Sequence, residues 1–256
     1  MKTAFFSTAF VVLLSTCSVV QSMGQTKVIA HRGAWKNSGA PQNSIASLQQ
    51  AIKLGCYGSE FDVHMTADSS LVVNHDHDLQ GVHLETAPAA DIQALKLANG
   101  ESLPTLESYL KEGLKQKKTR LILEVKASKV SKEHSLALAT KCVQTVKAMK
   151  GRKLVDYISF DYDVCKKVKE LDPSANVAYL MGDKAPELLA ADGLYGLDYN
   201  QAVMKKNENW IQEAHQKKLT VNVWTVNDPE MMNWLLERKA DFITTDEPEK
   251  LLEKVK

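Results

Sequence analysis

At five places the chain sets a polar or ionisable side chain on an apolar run: His31-Arg32 after "KVIA", Glu60-Phe61-Asp62 in "SEFDVH", His75-Asp76 after "LVVN", Glu124-Val125-Lys126 after "RLIL", and Trp224 in "TVNVWTV". Extended chains alternate their side chains, so Glu60 and Asp62 share one face, as do Glu124 and Lys126. Three carboxylates brought together this way repel one another, and a hard divalent cation held through oxygen, Ca²⁺ or Mg²⁺, is the natural compensation. Zinc fits them less well, because neither a Cys cluster nor an H-x-x-x-H pair accompanies them. Arg32 and Lys126 add the positive charge that holds a phosphoryl group. His31 and His75 add two imidazoles that titrate near neutral pH, one to take a proton and one to give it. The set is that of a metal-assisted phosphoester cleavage.

Groups scattered from position 31 to 224 act together only if the fold gathers their strand ends. Strand-like runs recur at "KVIAH", "SEFDVH", "RLILEV", "DYISF", "NVAYLM", "LYGLDY", "TVNVWTV" and "DFITT". Amphipathic helical patterns lie between most of them, at Ser44 to Leu54, Ser131 to Met149, Asp163 to Leu171, Asn207 to Lys218 and Pro229 to Arg238. Eight strands alternating with helices predict a (β/α)8 TIM barrel, whose reactive groups gather at the carboxyl ends of the strands. A doubly wound open sheet would want a Gly-rich loop after the first strand, and none is present. The alternation is interrupted once, over about residues 65–102: "FDVHMTADSSLVVNHD" reads as a hairpin turning at Asp68-Ser69-Ser70, followed by an irregular stretch to Gly100 and a helix in "LPTLESYLKEGL".

The first 24 residues stand apart, with Lys2 as their one charge, an apolar stretch from Ala4 to Leu14, then small and polar residues. This is an export signal preceding a single domain over 25–256. Val20-Gln21-Ser22 offers a small-residue cleavage site, while Leu14-Ser15-Thr16-Cys17 imperfectly matches a lipoprotein box, so either a free domain or a lipid anchor at Cys17 is expected. The destination is the periplasm or outer membrane of a Gram-negative cell, and otherwise the medium. Of 32 basic residues, removal of Lys2 leaves 31 against 31 acidic ones, a balance that points away from nucleic acid and membrane surfaces. The mature chain has no transmembrane span, and Cys56, Cys142 and Cys165 read as buried thiols.

At these residues the sequence resembles the glycerophosphodiester phosphodiesterase family. The family's HRG strand end, P-E-N-T loop, E-x-D strand, V-x-H-D hairpin, E-x-K strand and late W-T-x-N have ordered counterparts here. They are His31-Arg32-Gly33, Pro41-Gln42-Asn43-Ser44, Glu60-Phe61-Asp62, Val73-Asn74-His75-Asp76, Glu124-Val125-Lys126 and Trp224-Thr225-Val226-Asn227. The resemblance implies a TIM barrel that hydrolyses a small-molecule glycerophosphodiester to glycerol 3-phosphate and an alcohol. By position it assigns acid/base catalysis to His31 and His75, one divalent cation to Glu60, Asp62 and Glu124, the phosphate to Arg32 and Lys126, and the glycerol wall to Trp224. Attack by the glycerol's own hydroxyl, through a cyclic phosphate, and direct attack by water both fit.

Gln42 departs from the family's glutamate, keeping hydrogen-bonding capacity but losing charge, so Gln42 and Asn43 are expected to tune the site. The departure also admits a barrel that binds glycerophosphodiesters with weakened turnover. A phospholipase D-like action on lysolipids would need an apolar groove, for which the inserted stretch offers few large residues. His64 shares the Glu60/Asp62 face, and its place farther along the hairpin predicts a position on the rim. Asp161 and Asp246 are expected to be either helix caps or supports of the site, and the lysines of "KEGLKQKK" to be solvated.

Overall fold

The computed structural model describes residues 25–256, so the expected export signal, with Cys17, lies outside the described residues. In chain order the elements are β1 (Lys27–Ala30), α1 (Ile45–Leu54), β2 (Gly58–Met65), β3 (Leu71–Val73), β4 (Asp78–Leu79), β5 (Val82–His83), α2 (Ala89–Gln93), α3 (Leu106–Gly113), β6 (Arg120–Val125), α4 (Lys132–Ala148), β7 (Val155–Ser159), α5 (Tyr162–Leu171), β8 (Val177–Tyr179), α6 (Pro186–Ala191), β9 (Gly196–Asn200), α7 (Gln201–Lys206), α8 (Trp210–Gln216), β10 (Thr220–Trp224), α9 (Pro229–Glu237), β11 (Phe242–Thr245) and α10 (Pro248–Lys254).

Eight parallel strands pair in the order β1-β11-β10-β9-β8-β7-β6-β2, and Ile29 with Gly58 and Ala30 with Ser59 join β2 back to β1. The sheet therefore closes into the (β/α)8 barrel that the alternation predicts. Strand periodicity sorts the side chains. Leu121, Leu123 and Val125 of β6 turn outward into the large core under the helices, while Ile122 turns inward and packs with Ile29, Ile158, Leu180 and Phe242 inside the barrel. Fully burying each such side chain stabilises the fold by roughly 1.5–3 kcal/mol.

Local chemistry sets the helix starts. Ser44, Ser131, Asp161 and Asp228 cap α1, α4, α5 and α9 by accepting backbone N–H groups of the first turn, so Asp161 is a cap. The predicted helix Asn207 to Lys218 is found as the shorter α8, which starts three residues later, at Trp210. Asn207 turns its side-chain amide onto the Val203 carbonyl at 2.9 Å and ends α7, and the chain restarts as α8. A short polar side chain competing for the backbone is the physical reason.

After β2 the chain makes the predicted hairpin, β3 pairing antiparallel with it from Met65–Leu71 to Val63–Val73. The stretch beyond is more ordered than the sequence suggests. β4 and β5 form a small second hairpin, and Leu79, Val82 and Leu97 pack on a satellite core of Val72, Leu84, Ile92 and Leu103. Cys56, Cys142 and Cys165 are free and buried, and among the described residues no helix is long and apolar enough to cross a membrane.

Candidate active site

The loop after β1 turns abruptly at the barrel mouth. Arg32 (φ 56°), Gly33 (φ 80°) and Asn43 (φ 59°) all take left-handed conformations, costing roughly 1 kcal/mol at each non-glycine. Gly33 is required twice over, because a Cβ there would stand 2.4 Å from Ser47 Oγ. The Asn43 N–H and the Ser47 hydroxyl both donate to the Arg32 carbonyl, at 3.0 Å each, and hold the turn against the start of α1. The same loop fastens the site: the Arg32 N–H donates to Glu60 Oε2 at 2.8 Å, and the Asn43 amide donates to Asp62 Oδ2 at 2.8 Å.

Glu60, Asp62 and Glu124 meet as β2 and β6 pair, with a carboxylate oxygen of each within 4.8 Å of the others. All three are buried. Burial, then Asp62 and Glu124, push the Glu60 carboxyl well up, and burial with Asp62 lifts Glu124 to about 8 against the pull of Lys126. Asp62 goes the other way, to about 2, because Lys126, His75, Asn43 and Arg32 more than offset its burial. Lys126 lies 3.1 Å from Asp62 and 2.9 Å from Glu124, and these carboxylates raise its ammonium although burial opposes it. Glu124 Oε1, though close to that ammonium, accepts no well-directed hydrogen bond. An all-oxygen donor set with too little positive charge and an orphaned buried oxygen fits a hard divalent cation.

Both histidines are held from behind. His31 Nδ1 lies 2.7 Å from Asp246 Oδ1, while Asn227 donates to the other Asp246 oxygen at 2.7 Å and accepts the Asp246 N–H at 2.9 Å. A carboxylate accepts only, which fixes the proton on Nδ1 and leaves Nε2 for chemistry. His75 Nδ1 lies 2.7 Å from Asp76, on a more exposed loop, and its imidazole is lowered by burial, with Lys126 and Arg32 adding to the shift. Asp246 is thus the support of His31, a role that the sequence left open between cap and support.

His31, Arg32, Glu60, His75, Glu124 and Trp224 line one cavity, partly open to solvent, at the carboxyl ends of the strands. Its other side is apolar, built from Ile158, Phe160 and Leu180, with Trp224 edge-on to Phe160 at 5.5 Å and fixed by its own N–H to the Asp198 carbonyl at 2.8 Å. Asp62 and Lys126 do not line this cavity, and Lys126 reaches the surface in a neighbouring depression beside His75. Gln42 accepts from Arg32 Nη1 at 2.7 Å and so contacts the guanidinium and not the carboxylate trio.

The structure overturns one position and adds one residue. His64 is fully buried and not on the rim, because His77 packs edge-on against its ring at 4.8 Å and its Nε2 meets the His75 carbonyl at 3.3 Å. Asp198, inward-facing in the middle of β9, also lines the cavity, and burial raises its carboxyl to about 7. Its signal was a lone aspartate inside the apolar run "LYGLDY".

The sequence matches the Glycerophosphoryl diester phosphodiesterase family over residues 31–250. A glycerophosphodiester phosphodiesterase from Parabacteroides distasonis superposes with a TM-score of 0.88 at 47% identity, covering 90% of this chain and 97% of that one. The glycerophosphodiester phosphodiesterase of Caldanaerobacter subterraneus is 28% identical over 250 residues, 91% of this chain and 98% of its own. An Oleispira antarctica phosphodiesterase, solved in complex with the product sn-glycerol-3-phosphate, superposes with a TM-score of 0.77 at 25% identity, covering 90% of this chain and 96% of that one. With its barrel closed, its strand ends so equipped and its sequence matched from the end of the first strand into the last helix, the chain belongs to the glycerophosphoryl diester phosphodiesterase family.

Proposed function

We propose that this enzyme hydrolyses water-soluble glycerophosphodiesters to sn-glycerol 3-phosphate and an alcohol, using one Ca²⁺ or Mg²⁺ held by Glu60, Asp62 and Glu124. The observation that carries this reading is the cavity on which two carboxylate-backed imidazoles, a guanidinium, Glu60 and Glu124 of the carboxylate trio and an apolar wall converge. When bound, the cation neutralises the trio and withdraws electrons from a phosphoryl oxygen. Arg32 orients the phosphodiester through its guanidinium, and Trp224, Phe160 and Leu180 pack against the glycerol carbons. His31, oriented by Asp246, and His75, oriented by Asp76, stand as the proton pair. One relieves the attacking hydroxyl of its proton, and the other delivers a proton to the leaving alkoxide.

Gln42 supports turnover over mere binding, since it replaces a partner of Arg32 and leaves the carboxylates and both histidines in place. The insertion supports a soluble substrate over a lysolipid, because its apolar residues are consumed in their own satellite core. The export signal carries the further proposal that the enzyme works outside the cytoplasm. Release of glycerol 3-phosphate from glycerophosphocholine and glycerophosphoethanolamine, measured with Mg²⁺, with Ca²⁺ and with chelator, tests the reading. Turnover that ignores the chelator, or that persists at the wild-type rate in His31→Ala, overturns it.

A further inference from the structure

A second group of metal-ligating side chains lies beside the active site and shares none of its residues. His64 at the end of β2, His77 just before β4 and Glu85 just after β5 bring one ligand atom each to within 4.8 Å of one another. The β2–β3 hairpin and the small β4–β5 hairpin create the cluster by folding the insertion back on the barrel rim. His64 and the Glu85 side chain are fully buried, and His77 is 15% exposed, opening to the surface depression that also borders His75 and Lys129.

The hydrogen bonds around this cluster leave lone pairs with nothing to do. His64 Nε2 faces the His75 carbonyl at 3.3 Å, and a carbonyl only accepts, so the proton sits on Nε2 and Nδ1 carries a bare lone pair. Among the described residues no group donates to that Nδ1. Glu85 Oε2 accepts the Lys129 N–H at 3.2 Å and lies 3.1 Å from His77 Nδ1, whereas Glu85 Oε1 is buried with no partner. Two orphaned acceptors in one buried cluster normally cost free energy, each about 1–3 kcal/mol. A metal-ligating imidazole commonly donates its other N–H to a backbone carbonyl, the arrangement His64 already has.

The geometry points to a binding site for a transition-metal dication of the Zn²⁺ class, formed by His64, His77 and Glu85. Two imidazoles and one carboxylate suit zinc over Ca²⁺ or Mg²⁺, which prefer all-oxygen shells. Tetrahedral ligands at about 2.1 Å from an ion stand about 3.4 Å apart, so closing the cluster requires side-chain movement of about 1 Å. The fourth position opens to the depression at His77. The ion's work is mechanical: through the His64 N–H it grips the backbone of His75, and through Glu85 it grips Lys129 beyond β6. It thereby fixes the loop bearing one catalytic imidazole, a positioning role separate from the cation of the carboxylate trio.

Metal-stripped protein, given excess Mg²⁺ to occupy the carboxylate trio, is titrated with Zn²⁺ by calorimetry and with Co²⁺ by visible absorption. The expected result is one Zn²⁺ equivalent, retained in Glu124→Gln and weakened at least about tenfold in His77→Ala and in the near-isosteric Glu85→Gln, together with ligand-field bands of nitrogen-ligated Co²⁺ that vanish in the same two variants. Circular dichroism of the stripped variants establishes that they are folded. Zn²⁺ binding unchanged in both variants, its disappearance in Glu124→Gln, or no Zn²⁺ equivalent in the parent protein overturns the proposal. None of these results bears on whether glycerophosphodiesters are hydrolysed.

Discussion

The two ends of the barrel treat charge in opposite ways. At the base, where the strands begin, Arg120 donates through Nε and Nη2 to both oxygens of Asp156 at 2.5 Å, Asn176 adds a third bond at 2.8 Å, and the stacked rings of Tyr57 and Phe242 close over the interior. At the mouth, three carboxylates share one ammonium, two of them pushed towards protonation. Among the described residues, the buried side-chain atoms without a hydrogen bond belong to Arg32, Trp35, His64, Glu85, Glu124 and Asp198, all in mouth-side loops and strand ends or, for Asp198, mid-strand. Left-handed backbone does not divide the ends in this way: Arg32 and Asn43 adopt it at the mouth, and Lys150, Lys218 and Lys239 adopt it in the loops that enter β7, β10 and β11 at the base. One barrel thus keeps a satisfied end that holds the fold and an end with unsatisfied polar groups that carries the candidate active site.

The contrast is tested most sharply by His31→Ala. Removing one of the two proposed proton-transfer groups is expected to lower kcat by about 10²–10⁴-fold. The urea midpoint should scarcely move, since His31 is only hydrogen-bonded at a wet mouth. Asp246→Asn follows, with a loss of about 10–10³-fold and an altered pH profile, because an amide offers the His31 ring both a donor and an acceptor and no longer enforces one tautomer. If Asp246→Asn keeps the parent's pH profile, the aspartate is no more than a structural link between β11 and the first loop. At the base, Asp156→Ala should do the reverse, destabilising the protein by about 2 kcal/mol through a half-buried Arg120 left unpaired, with kcat unchanged in the protein that remains folded. Loss of turnover without loss of stability there would break the division between the ends.

Much of this plan is written in local patterns, and the rest depends on contacts far apart in the chain. β6 coincides with "RLILEV" because a buried parallel strand is a short apolar run, and α9 begins at Asp228-Pro229 because cap and fixed φ are local properties. Glu60, Asp62 and Glu124 were readable as partners once each was placed on the inward face of its strand. The hold of Asp246 on His31 was not, since it spans 215 positions and needs β11 to lie beside β1. The burial of His64 was hidden for the same reason: whether the hairpin splays outward or folds onto the rim is decided by Val72, Leu84 and Ile92 packing together.

Asp198 separates the two ends in its response to pH. Burial raises its carboxyl to about 7, above the ordinary value of about 3.9 for an unfolded chain. Between these values the folded protein keeps a proton that the unfolded chain has released. Stability therefore falls as pH rises through that window, and the loss is complete above it. Asp198→Asn removes this slope, so the variant's gain in urea midpoint over the parent should be small at pH 4 and largest at pH 8. A gain that is constant across this range would mean that the carboxyl ionises normally inside the barrel.

The smallest expected effect is the one most informative about the loop that departs from the family pattern. Gln42 presents a neutral oxygen to Arg32 at 2.7 Å, and Gln42→Glu presents a carboxylate with the same reach. A charge-assisted bond is stronger, so the guanidinium is held more firmly and part of its positive charge is answered before substrate arrives. Because the loop is partly solvated, the added charge is screened and worth less than about 1 kcal/mol. KM for a glycerophosphodiester should accordingly rise by about 2–5-fold, with kcat changing less. A rise in kcat of more than about tenfold would show the opposite, that the missing carboxylate had been limiting chemistry and that the native enzyme is a weakened one.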